Sequence, residues 1–334
     1  MKHVNVALFV PDEGCPHRCA FCNQRTISGS SARLSAGDVK KAAETALKGR
    51  FDTTGGEIAF FGGSFTGIER GYMDELLAAA YEYVEKGFFK GIRVSTRPDY
   101  ISDEILVHLK KYGVSAVELG CQSMVDSVLE ANLRGHTSAE TEDACRLVRF
   151  HGFELGVQMM TGLYTDTDEG AFYTAKRLIA LSPDTVRIYP TVVLEGTLLA
   201  ELYRKGLYVP QSLEDAVSLC AELVKAFEKA GVRVIRLGLH SGGGVEEGRI
   251  AGAYHPAFAE LCRSRILLEE LRDELEKAVL PGKTATIRVN PRLLSQLVGQ
   301  KKSNLKALES EGYKLRIETD EELEGRPFYI VSNQ

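Results

Sequence analysis

The sequence has no apolar run of membrane-spanning length near its start: residues 4–10 are apolar but far too few, and they lack the basic leader and small-residue cleavage pattern of a secretory signal. A cytoplasmic protein with no membrane partner is expected. An even set of cysteines is also missing, because the seven present are odd in number and scattered over 334 residues. A disulfide framework is thereby disfavoured and reduced thiols are expected, which leaves metal or redox chemistry open. Net positive charge is absent too; a formal charge of −5 argues against a nucleic-acid binder that uses its whole surface. Internal repeats beyond a strand–helix rhythm and low-complexity segments are lacking. One local patch runs against the average. From Pro281 to Lys306 the charged residues are Lys283, Arg288, Arg292, Lys301, Lys302 and Lys306, with no Asp or Glu among them.

What is present is enough apolar residue, 44% of the chain, for one large α/β domain plus something small. Short runs rich in Val, Ile and Phe recur at residues 4–10, 57–61, 91–96, 116–121, 154–160 and 185–189. Stretches of helical period lie between them, among them 36–47, 103–112, 139–151 and 171–180, and 213–230 closes the series. This is the pattern of βα units with a parallel sheet, and a run at 233–239 adds a strand at the edge. Six units suit either a partial barrel or an open doubly wound sheet. In both, functional residues belong at the C-terminal ends of the strands. After His240 the sequence Ser241-Gly242-Gly243-Gly244 reads as a break, and residues 259–279 as a charged amphipathic helix. A small unit follows, in the order strand 284–289, helix 291–298, helix 303–309, strand 313–318 and strand 328–331. The layout expected is a core at 1–240, a linker and helix at 241–280, and a second domain at 281–334.

The loop after the first strand reads Gly14-Cys15-Pro16-His17-Arg18-Cys19-Ala20-Phe21-Cys22-Asn23. Three thiolates at this C-x3-C-x2-C spacing can wrap one face of a metal centre. A structural zinc needs a fourth ligand, from His17 or from a remote residue, whereas a cubane cluster on three cysteines leaves one iron open to a cofactor or substrate.

That loop, with Phe21 before the last cysteine and a strand before the first, resembles the signature of the radical S-adenosylmethionine (SAM) superfamily. The resemblance extends to about Leu239 through Phe60-Phe61-Gly62-Gly63-Ser64-Phe65-Thr66, Ser95-Thr96-Arg97-Pro98-Asp99, Val117-Glu118-Leu119-Gly120-Cys121-Gln122-Ser123, Leu133-Arg134-Gly135-His136-Thr137 and Gly156-Val157-Gln158-Met159-Met160-Thr161-Gly162-Leu163. Together these are similar to the branch containing the catalytic subunit of the Elongator tRNA-modifying complex. The resemblance implies a partial (β/α)6 TIM-like barrel holding a [4Fe-4S] cluster on Cys15, Cys19 and Cys22. It also implies SAM on the open iron, cleaved to a 5′-deoxyadenosyl radical with the help of a one-electron donor such as flavodoxin or ferredoxin. Gly62 and Gly63 then let the backbone approach the SAM amino group, and Arg134 matches a position that pairs with its carboxylate. Phe21, Ser64, Ser95 and Gln122 complete the expected cofactor contacts. His136 suits a structural role as well as a functional one.

Strand alternation puts Glu118, Gly120 and Gln122 on one face and Val117, Leu119 and Cys121 on the other. The polar set is expected inside and Cys121 is expected to be a packed thiol. By the same parity Gln158 and Met160, and Arg187 with Tyr189, face inward; Gln158 and Tyr189 are the candidate catalytic residues, although Gln158 stands where relatives carry an acidic or other polar residue. The terminal unit resembles a KH module, an α+β RNA-binding fold whose GxxG loop clamps the nucleic-acid backbone. Here the loop is Gly299-Gln300-Lys301-Lys302, with a lysine in place of the second glycine. Nothing after His240 resembles the acetyltransferase domain of the Elongator proteins, so a different RNA modification is expected. A radical SAM enzyme acting on a small molecule such as a tetrapyrrole, and a non-catalytic RNA-binding protein with structural zinc, remain as alternatives.

Overall fold

A computed structural model describes residues 5–10, 14–15, 19–28, 32–49, 52–239, 244–323 and 325–332. His17 and the Ser241-Gly242-Gly243 break lie outside the described residues, as does residue 4 of the first apolar run. The chain divides into two compact units, Met1–Ser212 with Ala226–Tyr254, and Leu213–Lys225 with His255–Gln334.

The first unit is built on an open parallel sheet of seven strands that curls as a partial barrel: β1 (Val6–Phe9), β2 (Glu57–Phe61), β3 (Gly91–Thr96), β4 (Val114–Gln122), β5 (Glu154–Thr161), β6 (Thr185–Pro190) and, after a short strand β7 (Val192–Leu194), β8 (Arg233–Leu237). Sheet order follows chain order, β1-β2-β3-β4-β5-β6-β8. The seventh strand expected at the edge from residues 233–239 is β8, which pairs in parallel with β6. Helices start where side chains satisfy their first amide groups. Ser35 and Asp38 form a capping box before Ala36–Lys48, and Thr137 with Glu140 forms another before Ser138–Phe150. The helix Arg70–Glu85 buries Tyr72, Met73, Leu76, Leu77, Ala79, Ala80 and Tyr83, which fall on one face at three- and four-residue spacing. No helix among the described residues is long and apolar enough to cross a membrane.

β7 pairs antiparallel with β9 (Arg249–Gly252), giving a two-stranded sheet that the sequence pattern did not announce. The reason is length: three or four residues carry no usable alternation.

In the second unit β10 (Thr284–Val289) lies between β11 (Lys314–Thr319), parallel to it, and β12 (Phe328–Ser332), antiparallel. Leu267, Leu268, Leu271 and Leu275 of the helix Phe258–Lys277 share one core with Ala285, Ile287, Val289, Leu297 and Leu308. The helix read from the sequence as charged and amphipathic therefore belongs to the packing of this unit. A buried amide holds the turn at residue 299: Asn304 Nδ2 donates to the carbonyls of Gln296 and Leu297 at 3.1 Å each.

Candidate functional site

The cysteine loop follows β1 and is fixed by its backbone. At Gly14 φ is +70°, and a Cβ there would stand 2.2 Å from the Ser64 carbonyl oxygen, so only glycine lets the loop lie against the turn after β2. Beyond it Ala20 N–H donates to the Asn132 carbonyl at 3.0 Å, and Leu199 N–H to the Ala20 carbonyl at 2.8 Å. Asn23 Nδ2 donates to the Glu195 carbonyl at 3.0 Å. Phe21 packs against Val193, Leu199 and Tyr208. Each side of the loop is thus tied to a different part of the barrel mouth.

Cys15 Sγ lies 3.5 Å from Ser64 Oγ, and Gln24 Nε2 donates to Cys22 Sγ at 3.4 Å. Burial pushes the Cys15 thiol up, with the charge of Cys19 adding to it. For Cys22, burial first, then Cys19 and Cys15, push the value up to about 12. Opposing them, Arg134 is 6% exposed and donates from Nη1 to Cys19 Sγ at 3.2 Å and from Nη2 to the Gly120 carbonyl at 2.5 Å. Arg97 holds it in turn: a two-pronged pair with Asp99 at 2.9 and 2.8 Å leaves Nη2 also donating to the Arg134 carbonyl at 2.5 Å. The sequence assigned no role to Arg97 or Asn132; the Arg97-Pro98-Asp99 spacing was the available signal for the first.

The buried polar atoms around this loop that lack a protein partner include Arg97 Nη1, Gln122 Oε1, Arg134 Nε and His136 Nδ1. Unpaired buried groups are costly and few in folded proteins, so four near one loop point to a ligand. Among the described residues no three Cys, His, Asp or Glu side chains stand at metal-holding spacing.

Burial, then the charges of Arg134 and Arg97, lowers the His136 imidazole to about 3. The folded state therefore holds His136 neutral while the unfolded chain protonates it near 6.5. Its contribution is fully present above pH 6.5 and is lost as pH falls toward 3. Thermal midpoints are expected to drop steadily between pH 7 and pH 4.5, and His136→Gln is expected to flatten that decline. A His136→Gln profile parallel to that of the wild type would remove His136 as its source.

Deeper in, the inward faces of the strands meet in one polar layer. Arg93 reaches Glu57 at 2.6 Å, Glu118 at 3.2 Å and Glu154 at 2.8 Å. Arg187 Nε donates to Glu118 at 2.6 Å while its guanidinium lies 4.7 Å over the Phe61 ring. Gln158 Nε2 donates to Ser95 Oγ at 2.8 Å and to Glu118 at 3.4 Å. Parity thus has Glu118, Gln158 and Arg187 meeting across one face. At Gln122 the alternation stops: the β4–β5 register shifts between Gly120 and Gln122, where φ is +66°. Cys121 is fully buried. Gly62 and Gly63, at φ +78° and +51°, turn the chain after β2, and Ser64 behind them is fully buried. Tyr189 is half-buried beside Arg187, and burial raises its phenol.

The family model described as the radical SAM superfamily matches residues 10–178, and that of the radical SAM C-terminal domain matches residues 183–267. The chain belongs to the radical SAM superfamily. Members of this superfamily are enzymes that bind a [4Fe-4S] cluster and SAM, and the residues here fit that pair: three soft thiol donors on one loop, two arginines beside them, and unpaired buried donors and an acceptor nearby. The structural-zinc alternative falls with this membership. Among curated relatives, the radical SAM chain is 26% identical over 272 residues to the tRNA uridine(34) acetyltransferase of Methanocaldococcus jannaschii, covering 70% of this chain and 50% of that protein. It is 30% identical over 190 residues to the mouse Elongator complex protein 3, covering 50% of this chain and 34% of that one. The chain therefore spans half, or less, of the length of these two relatives. A solved structure of the archaeal Methanocaldococcus infernus Elp3 with an N-terminal deletion superposes over 83% of this chain and 68% of that one, with a TM-score of 0.65 at 22% identity, a likeness of fold.

Proposed function

We propose that this protein is a radical SAM enzyme that modifies RNA. The observation that carries the reading is the 26% identity over 272 residues, covering 70% of this chain, with a protein named for its action on tRNA uridine. In this reading residues 1–240 are the catalytic core, residues 241–280 a linker and helix, and residues 281–334 a KH-like RNA-binding domain. The acetyl-transfer part of the relatives' name is not carried over.

Cys15, Cys19 and Cys22 would hold the cluster. Bound there, the cluster and SAM supply a 5′-deoxyadenosyl radical once a donor of the flavodoxin or ferredoxin class provides one electron. The chain's own part is positional. Arg134, held by Arg97, offers a guanidinium to the SAM carboxylate, and Gly62 and Gly63 offer backbone to its amino group. Phe21, Ser64, Ser95 and Gln122 border the same space. Gln158 and Tyr189, on the inward face of the sheet, are the candidate catalytic residues, and Gln158 would also contact SAM. A cytoplasmic setting goes with this reading.

Support for RNA in the terminal unit comes from the Gly299–Lys302 loop. Lys301 and Lys302 are exposed, and among the described residues no carboxylate pairs with either. Gly299 has φ +78° and a Cβ there would meet Ser303 Oγ at 2.5 Å. Lysines facing outward beside such a close turn suit phosphate oxygens. Binding of a labelled tRNA transcript is expected to weaken steeply with salt, and Lys301→Ala/Lys302→Ala is expected to cut the log–log salt slope by about 1.4 for two lost contacts. Unchanged binding by the double variant would remove the terminal unit from the reading.

A further inference from the structure

The inward face of the seven-stranded sheet presents three carboxylates, Glu57, Glu118 and Glu154, and four guanidinium groups, of which one pairs with no carboxylate among the described residues. Arg93 takes all three carboxylates, Arg187 shares Glu118, and Arg233 shares Glu154 at 3.3 Å. Arg236 is left over. It is in register with Arg187 on the neighbouring strand, so the two side chains leave the sheet on the same side from backbones roughly 5 Å apart. It is half-buried, and among the described residues no carboxylate pairs with it. Tyr189, two residues past Arg187 and on the same face, lies within reach of both charges.

The charge of Arg187 is answered by Glu118: Nε and Nη2 both donate to it, at 2.6 and 2.9 Å. Two like charges opposite one another on adjacent strands disfavour the pairing unless an anion lies beside them. Glu118 already answers Arg93 and Arg187, and Glu154 answers Arg93 and Arg233. The anion that would balance Arg236 is therefore not among these side chains. Arg236 sits toward the C-terminal end of β8, the end of such sheets where ligands bind, and Arg187 is its register partner in the middle of β6.

We propose that Arg236, backed by Arg187 and Tyr189, forms a subsite for phosphate oxygens that anchors the substrate at the mouth of the barrel. A guanidinium fork suits this ligand, because it meets two oxygens at once in a fixed plane. The oxygens could belong to an RNA backbone or to a small phosphorylated molecule. The proposal rests on the RNA reading for the first source and not for the chemistry of the subsite. Since no carboxylate among the described residues pairs with Arg236 and it stands opposite the like charge of Arg187, its removal is expected to hold or raise the thermal midpoint, not lower it.

The test uses the reconstituted full chain under anaerobic conditions as wild type, Arg236→Gln and Arg236→Lys. Two probes are titrated, a labelled tRNA transcript over a salt series and inorganic phosphate by calorimetry at low salt. Arg236→Gln is expected to weaken RNA about tenfold and to reduce the salt slope by about 0.7, while Arg236→Lys keeps the slope. Inorganic phosphate should bind the wild type and not Arg236→Gln. If wild type binds RNA and Arg236→Gln matches it in affinity and slope, the subsite is overturned and the RNA reading stands. If RNA does not bind but phosphate does so in an Arg236-dependent way, the RNA reading fails and the subsite stands for a small phosphorylated substrate. Binding of neither probe, or a loss confined to SAM affinity, overturns the subsite.

Discussion

A Cys15→Ala/Cys19→Ala/Cys22→Ala protein is expected to leave anaerobic reconstitution colourless, while the wild type turns brown and holds about four irons per chain. Reduced in the presence of SAM, the wild type is expected to give 5′-deoxyadenosine and the triple variant none above background. The size of the effect follows from the donor set: with all three thiols gone, the side-chain groups that touched the sulfurs, among the described residues, are Ser64 Oγ, Gln24 Nε2 and Arg134 Nη1. Two of these are donors only, and none is a thiolate. Iron content and product are separate readouts and divide the possible failures. A loaded wild type that binds SAM but forms no product shows that cleavage awaits the substrate. Product from the triple variant equal to that of the wild type would sink the assignment of the cysteines.

The second large effect is on stability. Glu118 has a side chain 1% exposed and accepts from Arg93, Arg187 and Gln158 together. Removing a buried partner while leaving its counter-charges in place costs roughly 3–5 kcal/mol. In a unit of this size each kcal/mol lowers the melting temperature by about 2–4 °C, so Glu118→Gln is expected to melt roughly 10 °C below the wild type. By contrast Arg146→Ala, which breaks a pair whose arginine is 62% exposed, is expected to shift it by no more than a degree or two. Equal shifts for the two variants would show that the layer across the strands carries no special weight.

Much of this molecule can be read from periodicity. The strands at 57–61 and 91–96 appear in the structure with the bounds that their Val, Ile and Phe runs suggest, and the other core strands differ at their ends by at most two residues. Buried parallel strands are nearly continuous in apolar residues, so their signal survives averaging. The cysteine loop was legible because three thiols within eight residues are rare outside metal chemistry. What surrounds them was not. The grip of Arg97 on the Arg134 carbonyl spans 37 residues and the hold of Asn132 on the loop joins distant segments, and no local pattern encodes either. Parity brings Glu118, Gln158 and Arg187 to one face, yet it says nothing of Arg93 joining three carboxylates or of the register shift before Gln122. Alternation gives the side of a sheet. It does not give the partner.

Lys301 and Lys302 both adopt left-handed backbone angles, at φ +53° and +63°. Each such residue costs roughly 1–2 kcal/mol that a glycine would not. Single replacements Lys301→Gly and Lys302→Gly should therefore raise the melting temperature of the terminal unit while stripping charge from its loop. Heat tolerance and basicity are opposed at these two positions. A library of variants sorted only for survival at high temperature would tend to lose the lysines early, and the resulting protein would be sturdier and less able to hold a polyanion.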